Sequence, residues 1–366
     1  MAQTVKAGLI GCGDIFQAYF NSSLKLDLFE IKSCASLGGA SAKKKAAENA
    51  ILAVSVDELL ADPEIEIVIN LTTPLAHTEI NLKALAAGKN VYCEKPFAVT
   101  RDEAKKVLKL ANEKGLRVGS APDTFLGGGL QTCRKAIDDG LIGRPVAGTA
   151  IMMCHGHEHW HPNPGFYYLE GGGPLFDMGP YYLTALVHLL GPIKSVTAMC
   201  GRSFDDRIAS SKRGEERVFP VEVDTHTAGI LEFCNGAIVT VVMSFDVWRH
   251  SNQPIEIHGT KGSMKVPDPN MFNGEILLSK AGGAEWGSMP YTHGYTENMR
   301  GVGAADMAHS LQVGQGHRCS SDMAYHIIDV MHAFGESSEL GRHISIESGC
   351  ERPQALPTGL NEGQLA

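Results

Sequence analysis

An alternation of apolar runs and helix-like segments fills the first third of the chain and constrains the fold more than any other feature. The apolar runs read as strands of the buried, parallel type, and the segments between them have helical composition. Ser41 is a predicted helix cap, and the spacing of Ser55 with Glu58 and of Thr100 with Glu103 predicts two capping boxes. This rhythm predicts an α/β fold, a doubly wound parallel sheet with helices on both faces. The predicted strands are 5–10, 29–36, 66–72, 90–96 and 117–123, and the predicted helices are 14–27, 41–50, 55–62, 76–88 and 100–115.

The rhythm changes near residue 124. Long strand-like runs follow at 192–204, 223–233, 237–248, 254–266 and 274–280, and a tight turn at 234–237 predicts a hairpin. We therefore expect two domains: residues 1–123 as a dinucleotide-binding domain, and residues 124–366 as an α+β domain on an open, mostly antiparallel sheet.

A glycine-rich turn, GCGDIF, follows the first predicted strand and opens the first predicted helix. In a dinucleotide-binding turn, Gly11 and Gly13 let the backbone approach a pyrophosphate, and the N-terminus of the next helix, at Asp14 and Ile15, offers free N–H groups to the cofactor. The third glycine of the pattern is replaced by Phe16. Because that glycine serves helix packing, its loss leaves phosphate binding possible, while an ordinary strand-to-helix turn stays the alternative.

Composition excludes several classes of partner. The 366-residue chain has a formal net charge of -9 and no basic block, which argues against a nucleic-acid partner. Its apolar runs are too short to span a membrane, and the first one leads directly into the glycine turn as a strand would. The nine cysteines are an odd number without a C-x-x-C pair, which is typical of reduced thiols in a cytoplasmic protein.

The end of the second predicted strand bears on cofactor choice. NAD sites usually carry Asp or Glu there, and this chain has Ser36. The absence of a carboxylate favours NADP, with Lys43 or Lys44 as the partner of a 2′-phosphate. The same lysines are also typical of a solvated helix face.

Two further motifs carry candidate catalytic groups. Lys95 lies in a Glu-Lys-Pro tripeptide at a strand's carboxyl end, where burial can tune a lysine for acid–base work. Asp177 and Tyr181, in GGGPLFDMGPYY, are four residues apart and are expected on one face of a helix that starts near residue 175. A carboxylate that only complements the helix dipole is the alternative.

A histidine run, CHGHEHWHPNPGFYY, precedes that helix. If the run is extended, its four histidines project to one side. We weigh a substrate-binding loop, a structural segment and a metal site, and we expect no metal. His157, Trp160 and His161 are the predicted substrate contacts, because sugars stack on aromatic rings and bond to imidazoles.

Together, GLIGCGDI, NLTTPLAH, VYCEKP, GGGPLFDMG and IEIHGTKGSM resemble the Gfo/Idh/MocA oxidoreductases, in the family's order and over nearly the whole chain. The resemblance implies a Rossmann domain, a sheet domain that often forms a homo-oligomer (dimer or tetramer), and NAD(P)-dependent redox chemistry on a sugar, polyol or related compound.

The resemblance also assigns roles to single residues. Lys95 matches the catalytic lysine and Asp177 the conserved aspartate, whereas Tyr181 stands where many members have the histidine acid–base. A neighbouring histidine is then a candidate for that role, or Tyr181 only orients the substrate. The remaining matches lie along the cofactor: Thr72, Pro74, His77 and Glu94.

The hypothesis from sequence is a sugar or polyol dehydrogenase. The alternatives are a catalytically inactive nucleotide-binding sensor, which the change from His to Tyr181 favours, a sugar–sugar oxidoreductase that retains its cofactor, and a metal-dependent enzyme.

Overall fold

The computed structural model describes residues 4–360 and 363–365 and divides into two compact units. The first contains residues 4–131, 292–328 and the described residues from 353 onward, and the second contains residues 132–291 and 329–352. The first change of unit lies between residues 131 and 132, eight residues after the predicted boundary at residue 123. The chain returns twice to the first unit, and nothing in the local pattern of the later helices announces this.

The first unit is built on a six-stranded parallel sheet with the strand order β3-β2-β1-β4-β5-β6. This order is that of doubly wound dinucleotide-binding sheets, and it confirms the predicted fold class. All four residues of β4 are buried, as expected of a central parallel strand. The strands are β1 (Val5–Ile10), β2 (Phe29–Ala35), β3 (Leu52–Ala53), β4 (Ile67–Asn70), β5 (Asn90–Cys93) and β6 (Val118–Ser120).

Helices connect these strands, and their starts follow local chemistry. The predicted capping boxes are both present, Ser55 with Glu58 and Thr100 with Glu103. The predicted cap at Ser41 is wrong, because the second helix begins at Ala40 with Gly39 as its cap and Ser41 lies in its first turn. The helices are α1 (Phe16–Leu26), α2 (Ala40–Asn49), α3 (Val56–Ala61), α4 (Pro74–Ala86) and α5 (Arg101–Lys114), followed by α6 (Gly128–Asp138).

The second unit is built on a nine-stranded mixed sheet with the order β16-β15-β14-β13-β7-β12-β11-β8-β17. Among the described strand pairs of this second sheet, only β7–β12 is parallel. The predicted, mostly antiparallel sheet is therefore confirmed. The strands are β7 (Pro145–Met153), β8 (Ile193–Gly201), β11 (His226–Phe233), β12 (Ile238–Ser244), β13 (Ile255–Gly259), β14 (Gly262–Val266), β15 (Leu277–Lys280), β16 (Gly287–Ser288) and β17 (Ile344–Ser345).

A small hairpin and further helices occupy other described parts of the chain. The hairpin, β9 (Asp206–Ala209) with β10 (Arg217–Pro220), is a separate two-stranded sheet that the sequence did not predict. The expected helix near residue 175 is two helices, α7 (Gly173–Asp177) and α8 (Gly179–Leu190), which meet at Met178. The last helices are α9 (Val302–Val313) and α10 (Ser321–Leu340). Across the described ranges, every helix is too short or too polar to cross a bilayer.

Candidate functional site

The glycine turn has the geometry that a close backbone approach requires. Gly11 has φ +107°, and a Cβ at this position would lie 2.4 Å from the carbonyl carbon of Leu71, so only glycine fits. A Cβ on Gly13 would meet nothing within 4 Å, which leaves open space over the turn. Helix α1 starts after Ile15, whose side chain makes no cap, while the neighbouring Asp14 is exposed. An anionic group is favoured at such a helix start.

Phe16 explains how the turn tolerates the loss of the third glycine. Its ring is fully buried at the first position of α1 and stacks on Phe20, with a centroid separation of 6.1 Å. The ammonium of Lys45 lies 5.7 Å from the same ring. The aromatic side chain therefore replaces close glycine packing with core contacts beneath the helix.

Ser36, at the end of β2, is half-buried, and its hydroxyl oxygen accepts a hydrogen bond from the N–H of Ala42 at 3.0 Å. It thereby caps the first turn of α2, the role predicted for Ser41. Lys44 lies 4.0 Å from Glu48, whereas the exposed Lys43 has no ion pair with any residue in the described ranges.

The His77 side chain packs against the β4–α4 loop. This side chain is fully buried, with Nδ1 2.7 Å from the carbonyl oxygen of Pro96 and Nε2 3.0 Å from that of Thr72. Burial lowers the pKa of His77 despite these two carbonyls. Pro74 takes the first position of α4, where proline is favoured. Both nitrogens of His77 face backbone carbonyls, so the ring lies between the segments that carry Thr72 and Pro96.

The Glu-Lys-Pro segment is fixed by Glu94. One carboxylate oxygen accepts a hydrogen bond from the hydroxyl of Tyr19 at 2.8 Å, and the other accepts from the backbone N–H of Lys95 at 2.9 Å. Lys95 is partly buried and precedes a cis peptide bond to Pro96. Tyr19 lies fully buried on α1, one turn after Phe16, so the glycine-turn helix is tied to this loop.

In the second unit, Asp177 pairs with His157. Nε2 of His157 lies 3.1 Å from Oδ2 of Asp177, and both side chains are largely buried. Because an ionised carboxylate only accepts, Nε2 carries the hydrogen, and in the neutral ring Nδ1 holds the lone pair. Within the described ranges Nδ1 has no hydrogen-bond partner. This histidine–carboxylate pair is suited to proton transfer at Nδ1.

Aromatic side chains surround the His157 ring. The ring centroids of Trp160, Tyr167 and Phe245 lie 5.2, 4.2 and 4.7 Å away, each tilted edge to face. Trp160 is 43% exposed, while Tyr167 is partly buried. Phe245 is fully buried, so Trp160 and Tyr167 are the rings of this group that remain accessible to the apolar face of a sugar.

The histidine run is not extended, which corrects the expected one-sided row. The N–H of His161 donates to the carbonyl of His157, so the chain makes a turn there. His155 stacks on Trp248 at 3.4 Å, and His159 is exposed. In the part of the chain that the structure describes, no three His, Cys, Asp or Glu side chains are grouped to hold a metal ion.

His161 and Tyr181 have separate surroundings. His161 is partly exposed and packs edge to face on Phe166 and Tyr167. Tyr181 is 9% exposed in the first turn of α8, and the helix break at Met178 separates it from Asp177. The single helix expected to carry these two residues is therefore two helices joined at Met178.

Sequence reasoning missed the supporting residues of both units. Tyr19 was detectable as a polar aromatic one helical turn after Phe16. Tyr168, the last residue of the histidine run, is fully buried, and burial and the adjacent Glu158 carboxylate raise the pKa of its hydroxyl. The buried Arg207 has no local signal, because its partners are distant in sequence.

Comparison with known proteins places this geometry in a family. The family model described as the oxidoreductase family, NAD-binding Rossmann fold, matches residues 5–121. The model of the GFO/IDH/MocA C-terminal domain matches residues 130–265.

Individual relatives agree. The chain is 28% identical to 1,5-anhydro-D-fructose reductase of Ensifer adhaerens over 70% of this chain and 74% of that protein. It is 26% identical to levoglucosan dehydrogenase of Pseudarthrobacter phenanthrenivorans over 56% of each protein. The solved structure of a levoglucosan dehydrogenase in complex with NADH and levoglucosan shares the fold, with TM-score 0.80 and 23% identity over 94% of this chain and 99% of that one. The chain is thus a member of the Gfo/Idh/MocA family of NAD-binding oxidoreductases.

Proposed function

We propose that this chain is an NAD(P)-dependent dehydrogenase that acts on a secondary hydroxyl of a sugar, polyol or glycoside. The pairing of His157 with Asp177 at 3.1 Å carries the proposal, since it supplies an acid–base group in the unit that lacks the Rossmann sheet. Family membership supports the redox class, and the sugar names of the relatives support the substrate class.

The chain's own residues handle the proton. His157 Nδ1 accepts the proton of the substrate hydroxyl. Asp177 accepts the hydrogen bond from Nε2–H and stabilises the imidazolium that forms. The bound nicotinamide supplies the hydride acceptor. His157 then takes the place of the histidine that many family members have at the position of Tyr181, and Tyr181 has an orienting role. Lys95 keeps the catalytic role that its motif implies.

NADP is the proposed preferred cofactor. Ser36 puts no carboxylate at the end of β2, and the exposed Lys43 lies three residues into α2 without a competing ion pair among described residues. An ammonium at this edge would favour a 2′-phosphate, and a carboxylate would repel it.

Substrate contact is proposed for Trp160 and His161 beside the His157–Asp177 pair. The exposed part of the Trp160 ring offers a stacking face, and His161 lies 5.3 Å from it, centroid to centroid. These side chains belong to the same turn, so a bound sugar would contact both.

The test is nicotinamide reduction by the purified protein with NAD and NADP in parallel, over inositols, aldoses, anhydrosugars, sugar acids and glycosides. We expect turnover that falls by about a hundredfold or more in His157→Gln and Asp177→Asn and disappears in Lys95→Ala. His159→Gln is the matched control, because this neighbouring histidine is exposed and should keep wild-type activity.

The other outcomes separate the alternatives. Turnover that survives His157→Gln but is lost in Tyr181→Phe would return the acid–base role to Tyr181. Nucleotide that co-purifies and turns over only when two sugars are present would favour a sugar–sugar oxidoreductase. Nucleotide binding without turnover over the whole panel would favour the sensor.

We also propose a homo-oligomer through the second sheet. One row across four strands joins Met199, Ala228, Val242 and Ile151, and the next row carries Ile230. Met199 is 80% exposed and Ile230 is half-exposed, although both are large and apolar. A contiguous apolar row of this kind is typical of a subunit interface.

A further inference from the structure

The β9–β10 hairpin, residues 206–220, forms several hydrogen bonds with residues 157–163, which are called the His157 turn below. The N–H of Ser210 donates to the carbonyl of Glu158, and the hydroxyl of Ser211 donates to the carbonyl of Trp160, both at 3.0 Å. The guanidinium of Arg217 donates to the side-chain oxygen of Asn163. The hairpin therefore contacts the His157 turn at residues 158, 160 and 163.

Arg207 is the buried centre of this arrangement. Its guanidinium donates to Glu158 Oε1 at 2.9 Å, to the carboxylate of Asp246, and to the backbone carbonyl of Phe245 at 3.1 Å. Arg207 is 6% exposed, and its guanidinium lies 4.7 Å from the Phe204 ring. Removing one member of such a buried set leaves charges without partners, which is strongly unfavourable.

Two of these contacts lie directly against His157. Glu158 is the next residue in the chain, and Phe245, whose carbonyl Arg207 binds, supplies a ring 4.7 Å from the imidazole. A substitution at Arg207 therefore disturbs both the backbone that carries the imidazole and a ring on which the imidazole packs.

Gly156 shows how little freedom the turn has. It has φ +73°, and a Cβ there would lie 1.9 Å from the Tyr168 hydroxyl and 2.2 Å from Glu158 Oε2. The Glu158 carboxylate thus occupies a fixed place against the turn, between Gly156 and Arg207.

We propose that Arg207 is a positioning residue that holds His157 in register with Asp177 through Glu158 and Phe245. Arg207 touches neither substrate nor cofactor in this role. The inference rests on the proposed function for its kinetic consequence, but the placement of His157 that it predicts is measurable without turnover.

The kinetic test is a double-mutant cycle between Arg207→Met and His157→Gln. A misplaced acid–base group costs about a hundredfold in rate, so Arg207→Met should lower kcat/KM by roughly that factor. In the His157→Gln background the same change should alter kcat/KM by less than about twofold, because its target is gone. Lys212→Met, an exposed cation of the same hairpin, is the control and should match wild type. Equal losses in both backgrounds would overturn the proposal.

The second readout is the nitrogen NMR spectrum of histidine-labelled protein, in which the ring signals missing from His157→Gln identify His157. Arg207→Met should shift these signals and Lys212→Met should not. Ring signals of His157 that do not move in Arg207→Met would overturn the proposal. If these signals shift but the wild type shows no turnover, the positioning role of Arg207 is supported and only the proposed function is contradicted. If Arg207→Met does not fold, Arg207→Lys, which keeps the charge but loses the forked donors, serves for both comparisons.

Discussion

At the scale of single residues, Ser36 offers a test of the proposed preference for NADP. Its hydroxyl already accepts the N–H of Ala42, so the position is small, polar and uncharged. We expect Ser36→Asp to lower kcat/KM with NADP by about tenfold or more, because a carboxylate near a 2′-phosphate costs on the order of 1–4 kcal/mol. The measurement is kcat/KM for each cofactor, with Ser41→Asp in the exposed first turn of α2 as the control. An unchanged NADP preference in Ser36→Asp would contradict the assignment.

Tyr19 offers a second test at this scale. Tyr19→Phe removes the donor to Glu94 and leaves one oxygen of the carboxylate without that bond. We expect a loss of about 1 kcal/mol of stability and a several-fold fall in kcat/KM, because the loop that carries Lys95 is less well fixed. Tyr295→Phe, which loses a hydrogen bond to the backbone of Gln364, should lose similar stability but keep its kinetics. Equal kinetic effects from both changes would show that Tyr19 has no specific role.

At the scale of elements, the start of α9 depends on a distant carboxylate. The N–H groups of Gly301 and Gly303 donate to Oδ2 of Asp123 at 2.7 and 3.0 Å. Burial nevertheless raises the pKa of Asp123 from 3.8 to about 6, so the folded protein binds this proton more tightly than the unfolded chain does. Its contribution to stability is therefore full below about pH 4 and is lost as the pH rises through about 6.

Asp123→Asn removes that dependence, since an amide does not titrate. We expect the free energy of unfolding of wild type, measured relative to this variant by denaturant titration, to fall by up to a few kcal/mol between about pH 4 and pH 7. Asp14→Asn, at an exposed carboxylate, is the control and should show no such trend. A constant difference between wild type and Asp123→Asn across this range would contradict the assigned pKa shift.

Local chemistry made some elements predictable and left others out of reach. The boxes of Ser55 and Thr100 are formed by residues three apart, so the sequence identified both helix starts. The break at Met178 was missed because each short helix satisfies the same helical spacing, and the β9–β10 hairpin was missed because it depends on Arg207 and its distant partners.

At the scale of the whole molecule, the exposed apolar row of the second sheet predicts self-association. Burying Met199 and Ile230 against a second copy would remove apolar surface from water, at about 25 cal/mol per Å². We expect Met199→Glu combined with Ile230→Lys to lower the molar mass measured by light scattering to that of one chain. Lys194→Glu, at an exposed position of the same strand β8 as Met199, is the control. A wild type of one-chain mass would contradict the oligomer.

The sequence by itself determined the parallel sheet, its glycine turn, the mostly antiparallel second sheet and the family resemblance. These features rest on periodicity and on motifs whose members are adjacent in the chain. Tertiary structure decided which histidine meets Asp177, that His77 is buried between two carbonyls, that Phe16 packs beneath α1, and that the chain returns to its first unit. Each of these depends on contacts between residues far apart in sequence, and burial and hydrogen-bond partners at such distances are set by packing and leave no local pattern.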